Sequence, residues 1–184
     1  MLEDDLFEQC LEQVITEGFF TKFKEKRENK KKANSREAYF NRINNISSGK
    51  IKLTYAVGYT AKEIEDAIND MIKEDYDKFD ISNYIEQALS DTFTIKMDAD
   101  DELGIIDMIK KSLTYSECSE DIKTNLANVE KIALDTKKKI ESELKKIKRV
   151  VSKVEGGSEL YNKEEEVVRD VVAKSVARYK EMFS

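Results

Sequence analysis

Proline is absent from all 184 residues and glycine occurs only 6 times, so almost nothing in the chain forces a helix to stop. The apolar residues fall mostly at steps of three and four, the period of an amphipathic helix. The expected fold class is therefore mainly α. A minor two-stranded β element interrupts it, and a long C-terminal antiparallel helical hairpin, coiled-coil-like, completes it. Charged residues make up 38% of the chain against 40% hydrophobic, a balance that suits helices with a modest core and much solvated surface.

The first 36 residues split into two charge blocks. Residues 1–18 carry Glu3, Asp4, Asp5, Glu8, Glu12 and Glu17 and no cation, for −6. Residues 19–36 carry eight cations against Glu25 and Glu28, for +6. A stripe of Leu2, Leu6, Phe7, Cys10, Leu11, Val14, Ile15, Phe19, Phe20 and Phe23 runs through both. The pattern predicts one amphipathic helix over 2–27 whose acidic start and basic end complement the helix dipole. Residues 29–35 are polar and read as a loop. Tyr39, Phe40, Ile43 and Ile46 then share one face of a short helix that stops in the turn residues 44–49.

Next, Ile51, Leu53, Tyr55 and Val57 alternate with Lys52, Thr54 and Ala56, and Phe93, Ile95 and Met97 alternate with Thr94 and Lys96. Period two predicts two half-buried strands that pair with each other. Between them, Thr60 and Glu63 stand at capping-box spacing ahead of Ile64, Ile68, Met71, Ile72 and Phe79. A second helix from about Asp80 presents Ile81, Tyr84, Ile85 and Leu89. Asp98 reads as the N-cap of a third, with Leu103, Ile106, Ile109 and Leu113 inward. From Ser119 to Glu155 the positions 122, 126, 129, 133, 136, 140, 143, 147, 150 and 154 alternate steps of four and three, with Thr136 and Glu143 as polar members. Gly156 and Gly157 end that helix, and a last one covers about 162–183, with Asn162 and Glu165 at capping-box spacing. Folding back sets Lys145, Lys146, Lys148, Arg149 and Lys153 beside Glu164, Glu165 and Glu166. The chain thus divides into a charge-polarised helical arm (1–36), a small α+β core (37–115) and a helical hairpin (116–184).

Catalytic chemistry finds little to use. The chain has no His, which removes the commonest acid–base group and metal ligand and rules out a Cys–His pair. Asp98, Asp100, Asp101 and Glu102 offer carboxylates to a hard cation, but Leu103 and Ile109 stand where a calcium loop needs Gly and Glu. Ser47-Ser-Gly-Lys50 lacks the earlier Gly and the following Ser or Thr of a phosphate loop. No cofactor or metal is implied. Cys10 and Cys118 show no disulfide framework, residues 1–18 lack the basic start of a secretory signal, and no run is apolar enough to span a membrane.

One candidate site remains, for partner docking: Phe19, Phe20, Phe23, Lys22, Lys24, Lys26, Arg27, Lys30, Lys31 and Lys32. Aromatics among cations suit a nucleic-acid backbone, an anionic membrane surface or an acidic protein partner, including another copy's acidic block. Alternatively the phenylalanines face the domain's own core. The adjoining acidic block and the net charge of −6 weigh against nucleic acid. The expectation is a non-enzymatic structural, assembly or adaptor protein acting through helix-mediated contacts or self-association, cytoplasmic or within a virion assembled there. The alternative is a nucleic-acid-associated protein using 19–36. Lys abundance with low Gly and no Pro is what an AT-rich coding sequence gives, compatible with a low-GC bacterium, a plasmid or a phage, so a phage or mobile-element origin is the expectation.

Overall fold

The computed structural model describes residues 31–53 and 58–183. The expected helix over 2–27, and Tyr55 and Val57 of the first expected strand, lie outside the described residues. The described residues form helices α1 (31–47), α2 (Ala61–Lys73), α3 (Lys78–Lys110), α4 (Leu113–Glu117), α5 (Glu120–Val151) and α6 (Gly157–Phe183). The chain divides into two units, Met1–Asn41 and Arg42–Ser184. In the first, residues 31–35 are helical instead of the expected loop. Lys31, Lys32, Ala33, Arg36 and Glu37 all favour helix, and no Pro or Gly stands among them to break it.

The second unit is organised by α3, whose 33 residues span about 50 Å. It packs along both α5 and α6, with α2 laid against α5. Pairs from Lys78–Glu155 to Lys110–Glu130 show α5 running antiparallel to α3. Contacts of Phe93 with Tyr161 and of Gly104 with Val176 show α6 running parallel to it. At Gly104 the two helices come so close that an added Cβ would meet Val176 Cγ2 at 2.6 Å.

Enclosure on several sides explains the main correction to the expected fold. Residues 93–97 are no strand but the middle of α3, and residues 51–53 form no strand either, so no two-stranded β element occurs among the described residues. Ala88, Leu89, Thr92, Phe93, Ile95 and Ala99 are all buried, and they lie on more than one face of the helix. A helix buried all round can show apolar residues at any spacing, including two. For the same reason α3 is one helix where two were expected, and Asp98 is not an N-cap but lies twenty residues into it.

Other boundaries follow local chemistry. Thr60 and Glu63 form the expected capping box, with Glu63 N–H donating to Thr60 Oγ1 at 3.2 Å and Thr60 N–H to Glu63 Oε2 at 2.7 Å. Ser119 caps α5. The stripe Ala61, Ile64, Ile68 and Met71 turns Ile72 away from the core, and Ile72 is exposed rather than buried. Phe79 lies two residues before Ile81, on the opposite side of α3, and is likewise exposed. Leu113, also expected inward, follows the end of α3 at Lys110 and belongs to the separate short α4, where it is exposed.

The chain turns back between α5 and α6, but the expected coiled-coil pairing of the two does not form. The buried seam of α5 (Leu126, Val129, Ala133, Ile140, Leu144, Ile147) serves α3 and α2, and α6 packs chiefly on α3. The expected ladder of Lys145–Lys153 against Glu164–Glu166 is correspondingly absent among the described residues. Lys153 pairs with Glu65 at 2.9 Å, Lys163 pairs with Glu86 at 2.7 Å, and Lys148 sits over the Tyr161 ring. Helix α6 starts at Gly157, so Asn162 and Glu165 are interior. Gly156 supplies the turn with φ +78°, and a Cβ on Gly157 would collide with the Val151 carbonyl.

Candidate functional site

Of the ten residues expected to dock a partner, Phe19, Phe20, Phe23, Lys22, Lys24, Lys26, Arg27 and Lys30 lie outside the described residues. Lys31 and Lys32 begin the described part of α1, are exposed, and pair with no described carboxylate.

The described residues concentrate their charge chemistry elsewhere, in an ionic belt at the middle of α3. Lys96 pairs with Asp100 one turn on, and Lys137 of α5 reaches the same carboxylate at 2.7 Å. Glu102, only 2% exposed, is paired with Arg42 at the end of α1. Ser175 and Arg178 of α6 both favour the charged form of Asp101. Within the second unit the belt thus links Arg42, α5 and α6 to the central helix. Sequence reading noticed the acidic run but missed its partners, because Arg42, Lys137 and Ser175 are remote in the chain and only the packing brings them in.

Two adjacent carboxyls respond to this setting in opposite ways. Burial pushes Asp100 up, but hydrogen bonds from Lys137 and Lys96 outweigh it and hold the group below the usual carboxylate range. Burial dominates at Asp101 and raises it despite Ser175 and the two arginines. Asp98 is raised by burial too, with Asp101 and Glu102 opposing the help of Arg42. A lowered carboxyl stabilises the fold above its unfolded pKa and loses that contribution only as pH falls through the folded value. A raised one carries a penalty at neutral pH that is relieved as pH falls through the folded value. At pH 7, Asp101→Asn should therefore stabilise and Asp100→Asn destabilise. Between about pH 7 and pH 4 the Asp101→Asn gain should shrink while the Asp100→Asn deficit stays nearly constant. Urea midpoints of both variants against wild type over that range check this. A deficit for Asp101→Asn at pH 7 would contradict it.

Two further polar groups explain apparent flaws in the apolar pattern. Glu143, a polar seam position of α5, accepts a hydrogen bond from the Ala61 N–H at 2.7 Å, closing the first turn of α2, and this bond holds its carboxyl low. Buried Thr92 donates to the Ala88 carbonyl at 2.7 Å and accepts from Tyr59 N–H at 3.2 Å. Both side chains position elements. At the end of α3 a cleft of about 450 Å³ is lined by Met108, Leu113, Phe183, Asp107, Lys111 and Lys180. Among the described residues no group of three or more Cys, Asp or Glu side chains is placed to hold a metal ion, and no helix is long and apolar enough to cross a membrane.

The fold and the belt define a mainly helical protein built on one central helix and tied together by buried charge. Comparison with protein-family models, curated proteins and solved structures finds no match to this chain.

Proposed function

We propose that this chain is a non-enzymatic assembly or adaptor protein that engages protein partners through the basic, aromatic segment 19–32. It would act in the cytoplasm or in a particle assembled there, such as a virion. The observation that supports this most is the charge arrangement. The segment is basic, its described members Lys31 and Lys32 are exposed and pair with no described carboxylate, and the rest of the chain is acidic. Aromatic side chains supply contact area and the cations supply steering towards an acidic surface.

The test uses the full-length chain, purified from the cells that make it, with and without nuclease. A variant carries Phe19→Ser, Phe20→Ser and Phe23→Ser together with Lys30→Glu, Lys31→Glu and Lys32→Glu. The wild type is expected to bring down a second copy or another protein in stoichiometric amount, insensitive to nuclease, and the variant to lose it. A 21.3 kDa monomer without a partner would overturn the proposal. So would a partner retained by the variant. Release by nuclease, with affinity falling steeply in salt, would replace it with the nucleic-acid reading.

A further inference from the structure

The turn between α2 and α3 holds three large apolar side chains in water within eight residues. Ile72 is 59% exposed, Tyr76 48% and Phe79 71%. They are not on a floppy loop. Tyr76 N–H donates to the Met71 carbonyl at 3.0 Å and Asp75 N–H to the Ile72 carbonyl at 3.2 Å, with Asp75 at φ 60°. This is the Schellman closure of a helix end, with aspartate where glycine is usual. Asp77 then caps α3, its side chain accepting from Asp80 N–H at 2.9 Å. The apolar groups are therefore presented on a fixed frame, which lowers the ordering cost of any contact they make.

The rim of this knuckle is acidic. Lys73 is engaged by Asp70 at 2.9 Å, and Lys78 by Glu155. Glu74, Asp75, Asp77 and Asp80 are exposed and pair with no described cation. An apolar knuckle ringed by carboxylates fits a segment that offers aromatics and cations together, and this chain contains one. Residues 19–32 place Phe19, Phe20 and Phe23 among seven Lys and Arg. The charges match on the larger scale as well. Residues 1–36 sum to zero, so the whole net charge of −6 falls on 37–184, opposite in sign to the +6 of the basic block.

We infer that the 72–79 turn is a docking site for segment 19–32 of a second copy of this chain, so that the protein self-associates through reciprocal arm-to-knuckle contacts. The inference rests on the role proposed above for that segment and adds its receptor. Few side chains are involved, so the association is of the weak, concentration-dependent kind and weakens with salt.

Sedimentation of the full chain over a range of concentrations tests it. The first variant combines Ile72→Ser with Phe79→Ser. The second combines Glu74→Lys with Asp80→Lys. Both leave Asp75 and Asp77, which build the turn, in place, and circular dichroism confirms that the helices persist. A third variant carries Lys26, Arg27, Lys30, Lys31 and Lys32 each changed to Glu, which takes the block from +6 to −4. Wild type should exceed 21.3 kDa as concentration rises, and each variant alone should associate about ten-fold more weakly or less. An equimolar mixture of the second and third variants should regain association, because each supplies the charge the other now needs. A wild type that stays monomeric, knuckle variants that associate like wild type, or a mixture that stays monomeric would each overturn the inference. If a different partner still co-purifies through segment 19–32, the assembly role stands and only this receptor falls. If nothing binds that segment, both fall.

Discussion

Replacing Phe93 with alanine is expected to remove about 3–5 kcal/mol of folding free energy, the range for truncating a fully enclosed aromatic ring. Phe93 is 1% exposed and meets Tyr161 of α6 edge-on, with ring centroids 5.1 Å apart. Its loss leaves a void between α3 and α6 that neither helix can close, because the Gly104–Val176 contact already holds them at their nearest approach. Across a unit of this size the melting temperature should fall by roughly 6–20 °C. Urea and thermal unfolding monitored by circular dichroism check it. A loss under about 1 kcal/mol would mean that α6 does not pack on α3 as described. Alanine at the neighbouring Thr94, half-buried and bonded through its hydroxyl to the Ser90 carbonyl, should cost far less. In a strand, Phe93, Ile95 and Met97 would have shared one face and lost comparable amounts.

That same residue shows where the sequence was legible and where it was not. Helix α5 ends at Val151, ahead of the expected stop at Gly156 and Gly157, but other local signals read correctly: the Thr60–Glu63 box, the Ser119 cap and the α5 seam positions Leu126, Val129, Ala133, Ile140 and Ile147 are where the pattern put them. Each is determined within a few residues of chain. The central helix defeated the pattern because its surroundings come from α2, α5 and α6, and a helix enclosed on several sides has no single apolar stripe to find. The acidic run at Asp98 has the signature of a helix start, and nothing within the run distinguishes that from a mid-helix belt. The distinguishing groups are Arg42, Lys137 and Ser175, each more than thirty residues away. The coiled-coil spacing of α5 was real, but spacing alone does not say which neighbour the seam will meet, and here it meets α3 and α2. Segment 19–32 stands out by composition alone, as aromatics among cations.

The belt supplies the second large effect. Arg42→Met is expected to destabilise the second unit by about 2–4 kcal/mol, because it takes the guanidinium from a carboxylate that is 2% exposed. The value falls towards the lower end because Arg42 itself is 43% exposed, and water already screens part of the attraction. Glu102→Gln should cost less than Arg42→Met, since the cation it leaves behind faces solvent. The double variant should lose less than the two single losses combined, by a coupling of about 1–3 kcal/mol. Strict additivity would show that the pair sits in the belt without contributing to it. The coupling also has a structural meaning. Arg42 is followed by Ile43 and Ile46, both buried, and the end of α1 further meets α5 through Asn44–Asn125 and Ser47–Asn128. Those contacts attach the end of α1 by packing and neutral hydrogen bonds, which tolerate small slips along the helix. The ion pair to a buried carboxylate is more sensitive to such slips, so Arg42→Met should raise amide exchange along 42–47 before it affects α6. Uniform loss of protection across both helices would assign the pair to global stability alone.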